Sequence, residues 1–247
     1  MIPNGKNRQC IIVFVKAPLM GRVKTRLSQV LGEETVLDLY KCFVADVIAT
    51  LNSGRHGIRI FYHPPEEKQK IQEWLGFELP LFPQQGKDLG ERMANAFKQS
   101  FSNDFKPVLL VGTDCPDLPG SIIDEAFEAL SANAAVIGPA FDGGYYLVGF
   151  NPDHFFPAIF KNMPWGTEYI FERTMNVFAS KRVQVYVLPK WRDIDRCEDL
   201  EYFKEKTAKR KSVAKNTVEY LSVHGALFRG QESKCRKTLD EIVVKFD

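Results

Sequence analysis

The stretch Cys10-Ile-Ile-Val-Phe-Val15 is an unbroken apolar run near the start of the chain, and it decides the fold class. A short continuous run rich in β-branched residues is typical of a strand that is buried on both faces of a parallel sheet. From Glu33 to Leu51 the apolar residues instead recur every three or four positions, which predicts a long helix with one buried face. A buried strand followed by such a helix is the opening of an α/β fold.

The rest of the chain continues this alternation of strands and helices. Apolar runs predict further strands at 58–62, 79–82, 107–112, 134–137, 146–150 and 183–188, and helical periodicity predicts helices at 66–75, 88–101, 121–130, 167–179 and 198–203. Helical crossovers imply a mostly parallel, Rossmann-like sheet with helices on both faces. Ligands of such sheets bind beyond the carboxyl ends of the strands, so we expect the functional loops to be 16–26, 113–119, 140–145 and 189–195.

The composition is that of an ordinary globular protein: of 247 residues, 45% are hydrophobic and 26% are charged. These proportions exclude collagen-like, disordered and disulfide-dense chains. The formal net charge of +2 is too balanced to indicate a nucleic-acid or membrane partner. The five cysteines are scattered, and their spacing is not that of a metal site. The longest uncharged run, 129–141, is too short to span a bilayer. With no targeting segment visible, we expect a cytoplasmic protein with reduced thiols.

The C-terminal part of the chain differs in character from the rest. Residues 1–205 are predicted to form one domain, and residues 206–247 an extension that packs on it or trails from it. Residues 204–215 contain six lysines and arginines against a single glutamate. A solvated helix face or a tail explains this charge run, and the alternative is an anchor for an anionic partner. Nothing in the pattern indicates an oligomeric state.

The loop after the first strand, Lys16-Ala-Pro-Leu-Met-Gly-Arg-Val-Lys-Thr-Arg26, holds four cations within eleven residues. A glycine at position 21 lets backbone amides approach an anion, while lysine and arginine neutralise a polyphosphate. The loop is therefore a candidate phosphate site, with a merely basic surface loop as the alternative. The spacing of a Walker motif is absent, because Lys24-Thr25 is preceded by Arg22-Val23 and not by the glycine pair that the motif requires, which argues against a small-molecule kinase.

Carboxylates follow two other predicted strands. Asp114 lies in Gly112-Thr-Asp-Cys-Pro-Asp117, directly after a buried strand, and Asp193 and Asp195 follow the last strand. Hard divalent cations such as Mg²⁺ or Mn²⁺ take one or two carboxylates together with substrate phosphates. Asp114 with either Asp193 or Asp195 is therefore a candidate metal pair. Helix capping is the alternative role for Asp114, Asp117 and Asp195.

A third acidic loop, Asp142-Gly-Gly-Tyr145, places a carboxylate beside two glycines and two consecutive tyrosines. The glycines allow close backbone approach to a ligand, and a tyrosine can stack on it or bond to it. We expect this loop to form the acceptor wall, with Asp142 as general base. A hairpin turn with no ligand role is the alternative.

Six motifs in this order resemble the bacterial glycosyltransferase-like family associated with radical-SAM proteins, within the nucleotide-diphospho-sugar transferase superfamily. The resemblance covers about residues 10–205 and rests on Lys16-Ala-Pro with Gly21-Arg-Val-Lys-Thr-Arg-Leu27, Gln85-Gly with Asp88-Leu-Gly-Glu-Arg-Met93, Gly112-Thr-Asp-Cys-Pro116, Asp142-Gly-Gly-Tyr145, Trp165-Gly-Thr167, and Asp193-Ile-Asp195 with Glu198-Asp-Leu200. It implies a GT-A fold and metal-dependent handling of an NTP or nucleotide sugar. It also implies molybdenum-cofactor and phospholactate guanylyltransferases as relatives.

The resemblance also implies roles for individual residues. Asp114 matches the first metal aspartate of the superfamily, and Asp195 matches the second. The nucleotide and phosphate contacts it implies are Lys16, Gly21, Arg22, Lys24, Thr25, Arg26, Gly86 and Gly90, and the acceptor contacts are Gly143, Gly144, Tyr145 and Trp165. The phosphate loop of the nucleotidyltransferases reads GxGTR. This sequence has Thr25-Arg26 but lacks the two glycines that precede Thr-Arg in that motif. That departure weighs against nucleotidyl transfer with release of pyrophosphate.

Together these features predict a transferase that uses a nucleotide-activated donor, a Mg²⁺ or Mn²⁺ ion and a small-molecule acceptor. Lys24 and Arg26 are predicted to stabilise charge on the leaving phosphates, and Asp142 to activate the acceptor. Glycosyl transfer from a nucleoside diphosphate sugar is the leading hypothesis. The alternatives are nucleotidyl transfer from an NTP to a phosphorylated acceptor, and a nucleotide-binding module without turnover.

Overall fold

The computed structural model describes residues 8–76, 78–208 and 213–225. Its centre is a seven-stranded sheet with the order β3-β2-β1-β4-β6-β5-β7. The strands are β1 (Arg8–Lys16), β2 (Gly57–His63), β3 (Leu81–Pro83), β4 (Phe105–Val111), β5 (Ala135–Pro139), β6 (Tyr145–Phe150) and β7 (Val185–Val187). Every neighbouring pair is parallel except those of β6, which runs antiparallel to both β4 and β5. The predicted mostly parallel α/β sheet is confirmed.

Eight α-helices connect and cover these strands in the described residues. They are α1 (Thr25–Leu31), α2 (Glu33–Asn52), α3 (Lys68–Leu75), α4 (Leu89–Phe101), α5 (Gly120–Ala129), α6 (Ile170–Ser180), α7 (Cys197–Thr207) and α8 (Lys215–Val223). Short 3-10 turns occupy Pro65–Glu67, Pro152–His154 and Pro157–Phe160. None of the helices in this part of the chain combines the length and apolarity needed to cross a membrane.

The apolar run that opens the chain is buried on both faces, as its pattern predicts. Ile11, Val13 and Val15 of β1 point into a core that α2, α3 and α5 cover, whereas Cys10 and Ile12 point into a second core beneath α4 and α6. This alternation places helices on the two sides of the sheet. A third apolar cluster joins α1, α2, α7 and α8 at one end of the molecule.

Helix α8 is fixed to this cluster by a buried acid. Asp46 of α2 is only 4% exposed, and its carboxylate accepts hydrogen bonds from the backbone N–H groups of Asn216 and Thr217 and from both side chains, at 2.6–2.9 Å. The first amides of a helix have no partner within the helix, so this acid completes the start of α8. The part of the predicted extension that is described therefore packs on the domain. Its basic residues 209–211 and its apolar residues beyond 225 lie outside the described residues, as does Cys235.

The strand boundaries differ from the predicted ones by one or two residues at most ends, but two features differ in kind. Helix α1 begins at Thr25, inside the predicted first loop. It was not predicted because only Leu27 and Leu31 of its seven residues are buried, and so short a stretch shows no clear helical period. Strand β6 is antiparallel because only five residues, 140–144, join it to β5, and a connection that short permits only a hairpin.

Candidate functional site

A cavity of about 1020 Å³ opens at the carboxyl ends of the central strands. Ten of the predicted site residues line it: Lys16, Lys24, Thr25, Arg26, Asp114, Asp142, Gly144, Tyr145, Trp165 and Asp195. They come from loops that are far apart in sequence and meet because the strands that precede them lie side by side. The other five predicted residues, Gly21, Arg22, Gly86, Gly90 and Gly143, do not line the cavity, and their contacts with a nucleotide or an acceptor stay predictions.

Lys24 forms the centre of the charged part of the cavity. Its ammonium lies 2.6 Å from Oδ1 of Asp114 and 2.7 Å from Oδ1 of Asp195, and only 4% of its side chain is exposed. Burial opposes the charge on Lys24, but the two carboxylates outweigh it and raise its pKa above the ordinary value. The structure thus joins the two predicted metal aspartates through a lysine that the sequence assigned to phosphate binding.

The local backbone directs this lysine inwards. Lys24 is the residue before α1 and has the left-handed conformation, with φ 45° and ψ 47°. Thr25 and Arg26 follow in the first turn of the helix, and the Arg26 guanidinium reaches to 3.8 Å from the second oxygen of Asp195. Although burial favours the neutral acid, Lys24 and Arg26 lower the pKa of Asp195, so this carboxylate is ionised.

Asp195 also belongs to a group of three carboxylates. Asp142, Asp193 and Asp195 each offer an oxygen atom, and these atoms lie within 4.8 Å of one another. Asp193 is 8% exposed, and burial, followed by the charges of Asp142 and Asp195, raises its pKa to about 7. The sequence left Asp193 and Asp195 as alternatives, whereas the structure places both at the site.

The Asp142 loop is a hairpin turn and a wall of the cavity at once. Asp142 accepts a hydrogen bond from the backbone N–H of Gly144 at 2.7 Å, which fixes its carboxylate at the turn. Gly143 has φ +88°, and a Cβ there would strike the backbone carbonyl of Glu168. Its own carbonyl accepts from the N–H of Phe171 at 2.8 Å, so the turn is fastened to the start of α6.

An aromatic pair forms the wall next to this hairpin. The rings of Tyr145 and Trp165 meet edge to face, with centroids 6.5 Å apart. Trp165 can approach helix α4 because position 90 is a glycine: a Cβ there would strike the indole ring and the carbonyl of Phe160. Gly90 therefore lets Trp165 pack against α4 on the side away from the cavity, and it does not itself line the cavity.

Asp117 has a different role from the helix cap that its position suggested. Its carboxylate accepts from Nε1 of Trp191 at 3.0 Å and from Nζ of Lys206 at 2.6 Å. The residue that precedes α5 is Pro119, with no side-chain capping bond. The capping interpretation of Asp117 is wrong because the acid points back to the loop after β7. It ties that loop, which carries Asp193 and Asp195, to the loop that carries Asp114.

Sequence reasoning missed several residues that line the cavity: Tyr40, His63, Gln84, Arg92, Glu168, Tyr169 and Arg196. Tyr40 shows why. It stands in the apolar stripe of α2, yet its hydroxyl accepts from the N–H of Lys16 at 2.9 Å and donates to the carbonyl of Lys16 at 3.0 Å. A tyrosine in an apolar stripe predicts core packing, and no local pattern shows that it holds the start of the phosphate loop.

Comparison with known proteins places this site in a family context. Residues 47–167 match the family described as "Uncharacterized protein conserved in bacteria (DUF2064)". No curated protein sequence matches the chain. A crystal structure described as a "putative nucleotide-diphospho-sugar transferase" from Desulfovibrio desulfuricans G20 is 36% identical, with a TM-score of 0.86, over 91% of this chain and 98% of that one.

More distant structures share the fold alone. A nucleotidyl transferase from Methanothermobacter thermautotroptrophicus is 15% identical, with a TM-score of 0.53, over 81% of this chain and 98% of that one. The 4-diphosphocytidyl-2C-methyl-D-erythritol synthase from Anaerococcus prevotii is 11% identical, with a TM-score of 0.54, over 83% of this chain and 100% of that one. The predicted nucleotide-diphospho-sugar transferase fold is confirmed, and the association with radical-SAM proteins stays a prediction.

Proposed function

This chain belongs to the same family as the Desulfovibrio desulfuricans structure, and from that premise we propose that it is a transferase that uses a nucleotide-activated donor. The proposed donor is a nucleoside diphosphate sugar, and the proposed reaction is glycosyl transfer to a small-molecule acceptor. The observation that carries the proposal is the meeting of the basic loop with four aspartates in one cavity beyond the strand ends. A fold of this class hosts several chemistries, so the argument rests on the site.

The donor set suits a divalent cation. Asp114 and Asp195 are the proposed ligands, and Asp142 and Asp193 add oxygen atoms beside Asp195. Carboxylate oxygens are the ligands that Mg²⁺ and Mn²⁺ prefer, and substrate phosphates complete their coordination. When bound, the ion supplies Lewis-acid stabilisation of the charge that develops on the departing diphosphate.

The basic side of the cavity is proposed to hold the donor phosphates. Lys16, Arg26, Arg92 and Arg196 all line the cavity. A guanidinium binds phosphate through two parallel hydrogen bonds, so the arginines fix the diphosphate as well as neutralise it. Cations fixed before the reaction cost no reorganisation when charge develops, which is the basis of electrostatic catalysis.

The acidic and aromatic side of the cavity is proposed to hold the acceptor. The Tyr145–Trp165 pair offers an apolar wall, and Asp142 is held at its edge by the bond from Gly144. Asp142 would accept the proton of the acceptor hydroxyl, a role that contributes roughly 10²–10⁴-fold to rate. Asp142→Asn is therefore expected to lower kcat by at least about 10²-fold with little change in donor affinity, measured by initial rates at saturating donor. Full turnover by this variant would refute the assignment.

The donor is identified by thermal unfolding with Mg²⁺ or Mn²⁺ against NTPs, nucleoside diphosphates and nucleoside diphosphate sugars. A ligand at 100 times its Kd adds about 2.7 kcal/mol to the free energy of unfolding. Metal-dependent stabilisation by one nucleotide sugar above its parent NTP is expected. Preference for an NTP would replace glycosyl transfer by nucleotidyl transfer, and no response to any nucleotide would overturn the proposal.

The same screen tests the metal ligands. Asp114→Asn is expected to lose the metal-dependent part of the stabilisation, because one of the two proposed ligands can no longer bind the ion as a carboxylate. Asp38→Asn is the matched control, since Asp38 pairs with Lys41 on α2, its carboxylate is half exposed and it does not line the cavity. Equal metal dependence in Asp114→Asn and Asp38→Asn would contradict the role of Asp114.

A further inference from the structure

The Lys24 ammonium stands where two carboxylates converge on one point. Oδ1 of Asp114 and Oδ1 of Asp195 approach the same nitrogen, at 2.6 and 2.7 Å. Mg²⁺ binds oxygen at about 2.0–2.1 Å, so each oxygen would need to move inwards by only about half an ångström to hold that ion. We call the space between these two oxygens the Asp114–Asp195 seat.

The seat cannot hold the ammonium and a divalent cation together. Both ions are positive, and a distance of a few ångströms between them in a partly buried site is strongly unfavourable. The lysine side chain is 4% exposed, and its Nζ lies over the ring of Phe43, 5.9 Å from the ring centroid. To leave the seat, the ammonium needs another anion to pair with, because a buried charge without a partner is costly.

The backbone conformation of Lys24 is compatible with movement of its ammonium out of the seat. A left-handed conformation costs a residue with a Cβ roughly 1–2 kcal/mol, and Lys24 makes no side-chain capping bond to α1 that would offset this cost. The two ion pairs, together with the contact to the Phe43 ring, hold the side chain in place. An anion on the basic side of the same cavity would offer the ammonium a new partner.

We propose that Lys24 and the divalent cation are alternative occupants of the Asp114–Asp195 seat, and that a phosphate ligand exchanges one for the other by drawing the ammonium to itself. Lys24 then keeps the metal affinity of the ligand-free protein low. Phosphate and metal bind cooperatively, since each removes the obstacle to the other. The inference rests on the proposed function for its metal ligands, but its test uses the metal alone, so a nucleotide that fails to bind does not decide it.

The test is the affinity of the full-length protein for Mn²⁺ without nucleotide, with free Mn²⁺ measured by electron paramagnetic resonance. Lys24→Gln is expected to bind Mn²⁺ at least about 10-fold more tightly than the unmodified protein, although the substitution adds no charged metal ligand and only removes the ammonium. Lys24→Arg keeps the positive charge and is expected to keep the weak affinity. Lys206→Gln is the matched control, because it removes a short lysine–aspartate pair, at 2.6 Å, from a carboxylate outside the seat.

A double variant locates the gained affinity. Adding Asp114→Asn to Lys24→Gln is expected to abolish the gain, because the seat then lacks one carboxylate. The proposal is overturned if Lys24→Gln binds Mn²⁺ no more tightly than the unmodified protein, or if Lys24→Arg gains as much as Lys24→Gln. It is also overturned if the gain survives Asp114→Asn and disappears with Asp142→Asn, which would place the ion among Asp142, Asp193 and Asp195.

Folding of the variant is checked by its thermal transition. Should Lys24→Gln not unfold cooperatively, Lys24→Met replaces it, because methionine has an unbranched, adaptable side chain without a charge. The transition is itself a second measurement. Mn²⁺ is expected to raise the Tm of the uncharged variant more than that of the unmodified protein, and an equal rise in both would count against the proposal.

Discussion

At the scale of single residues, the site is organised by charges that neutralise one another. Lys24 lies between two carboxylates, whereas Asp193 is enclosed by two further acids, Asp142 and Asp195. The first arrangement favours the charged lysine and the second favours the protonated acid. The protonation state of each side chain is set by its neighbours in space, which lie up to 171 positions away in sequence. A local motif can name these residues but cannot give their protonation states.

Asp193 gives the protein a specific dependence of stability on pH. Burial and its two acidic neighbours raise the pKa of Asp193 from 3.8 to about 7, so the folded state holds this proton more tightly than the unfolded state. The resulting stabilisation is complete below about pH 4 and is lost as the pH rises through about 7. Asp193→Asn does not ionise, so it is expected to be more stable than the unmodified protein by about 4 kcal/mol at pH 8 and to show no such gain at pH 4.

Denaturant unfolding in the presence of EDTA measures this difference, since the chelator removes cations that would bind the acids. Asp153→Asn is the control, because Asp153 is exposed and lies outside the three-carboxylate group. A gain for Asp193→Asn that is the same at pH 4 and pH 8 would show that ionisation of Asp193 does not limit stability.

At the scale of elements, apolar pattern predicts the strands well because burial on both faces leaves an unbroken run, as in β1, β4 and β5. The same argument fails for α1, whose position is set by cluster contacts with α2 and α7 and not by its own period. It also fails for the direction of β6, which depends on the length of one turn. The pattern predicts what an element is, and tertiary contacts decide where it begins and how it runs.

Among contacts between elements, we expect the hydrogen bonds of Asp46 to α8 to have the largest effect on the free energy of unfolding. Asp46 is buried although it is charged, so its carboxylate needs partners, and those partners lie at the start of α8. Asp46→Ala leaves two backbone amides and two side chains without their acceptor, so we expect a loss of about 2–4 kcal/mol in the free energy of unfolding. We also expect faster hydrogen exchange at residues 213–225.

Denaturant unfolding and hydrogen exchange followed by mass spectrometry measure these two effects. Asp38→Asn serves again as control, since Asp38 is on the same helix but is half exposed. Nucleotide-dependent stabilisation is expected to persist in Asp46→Ala, because Asp46 does not line the cavity. Unchanged exchange in 213–225 would show that the acid does not hold α8.

At the scale of the whole molecule, the sheet order β3-β2-β1-β4-β6-β5-β7 explains which parts of the site the sequence predicts. The loops after β1, β4, β5 and β7 were expected at one edge because parallel strands end together, and nine of the ten predicted residues that line the cavity lie in them. Two of the residues that were missed, Tyr40 and Arg92, lie in helices α2 and α4 and reach the cavity through packing. The others end or follow an outer strand or stand just before a helix: His63, Gln84, Glu168, Tyr169 and Arg196. The capping role of Asp117 was mistaken because its carboxylate contacts side chains that are distant in sequence, those of Trp191 and Lys206.

The pairing of Lys24 with Asp195 spans 171 positions, and that of Asp46 with Thr217 spans the same number. During synthesis the ribosome delivers the lysine long before its acidic partners. A nascent chain that has not emerged beyond residue 195 therefore presents the basic loop without Asp195, one of the two carboxylates that pair with Lys24. Throughout that interval the loop is a cationic segment open to any anion near the ribosome, and it becomes a selective site only when nearly the entire chain has been made.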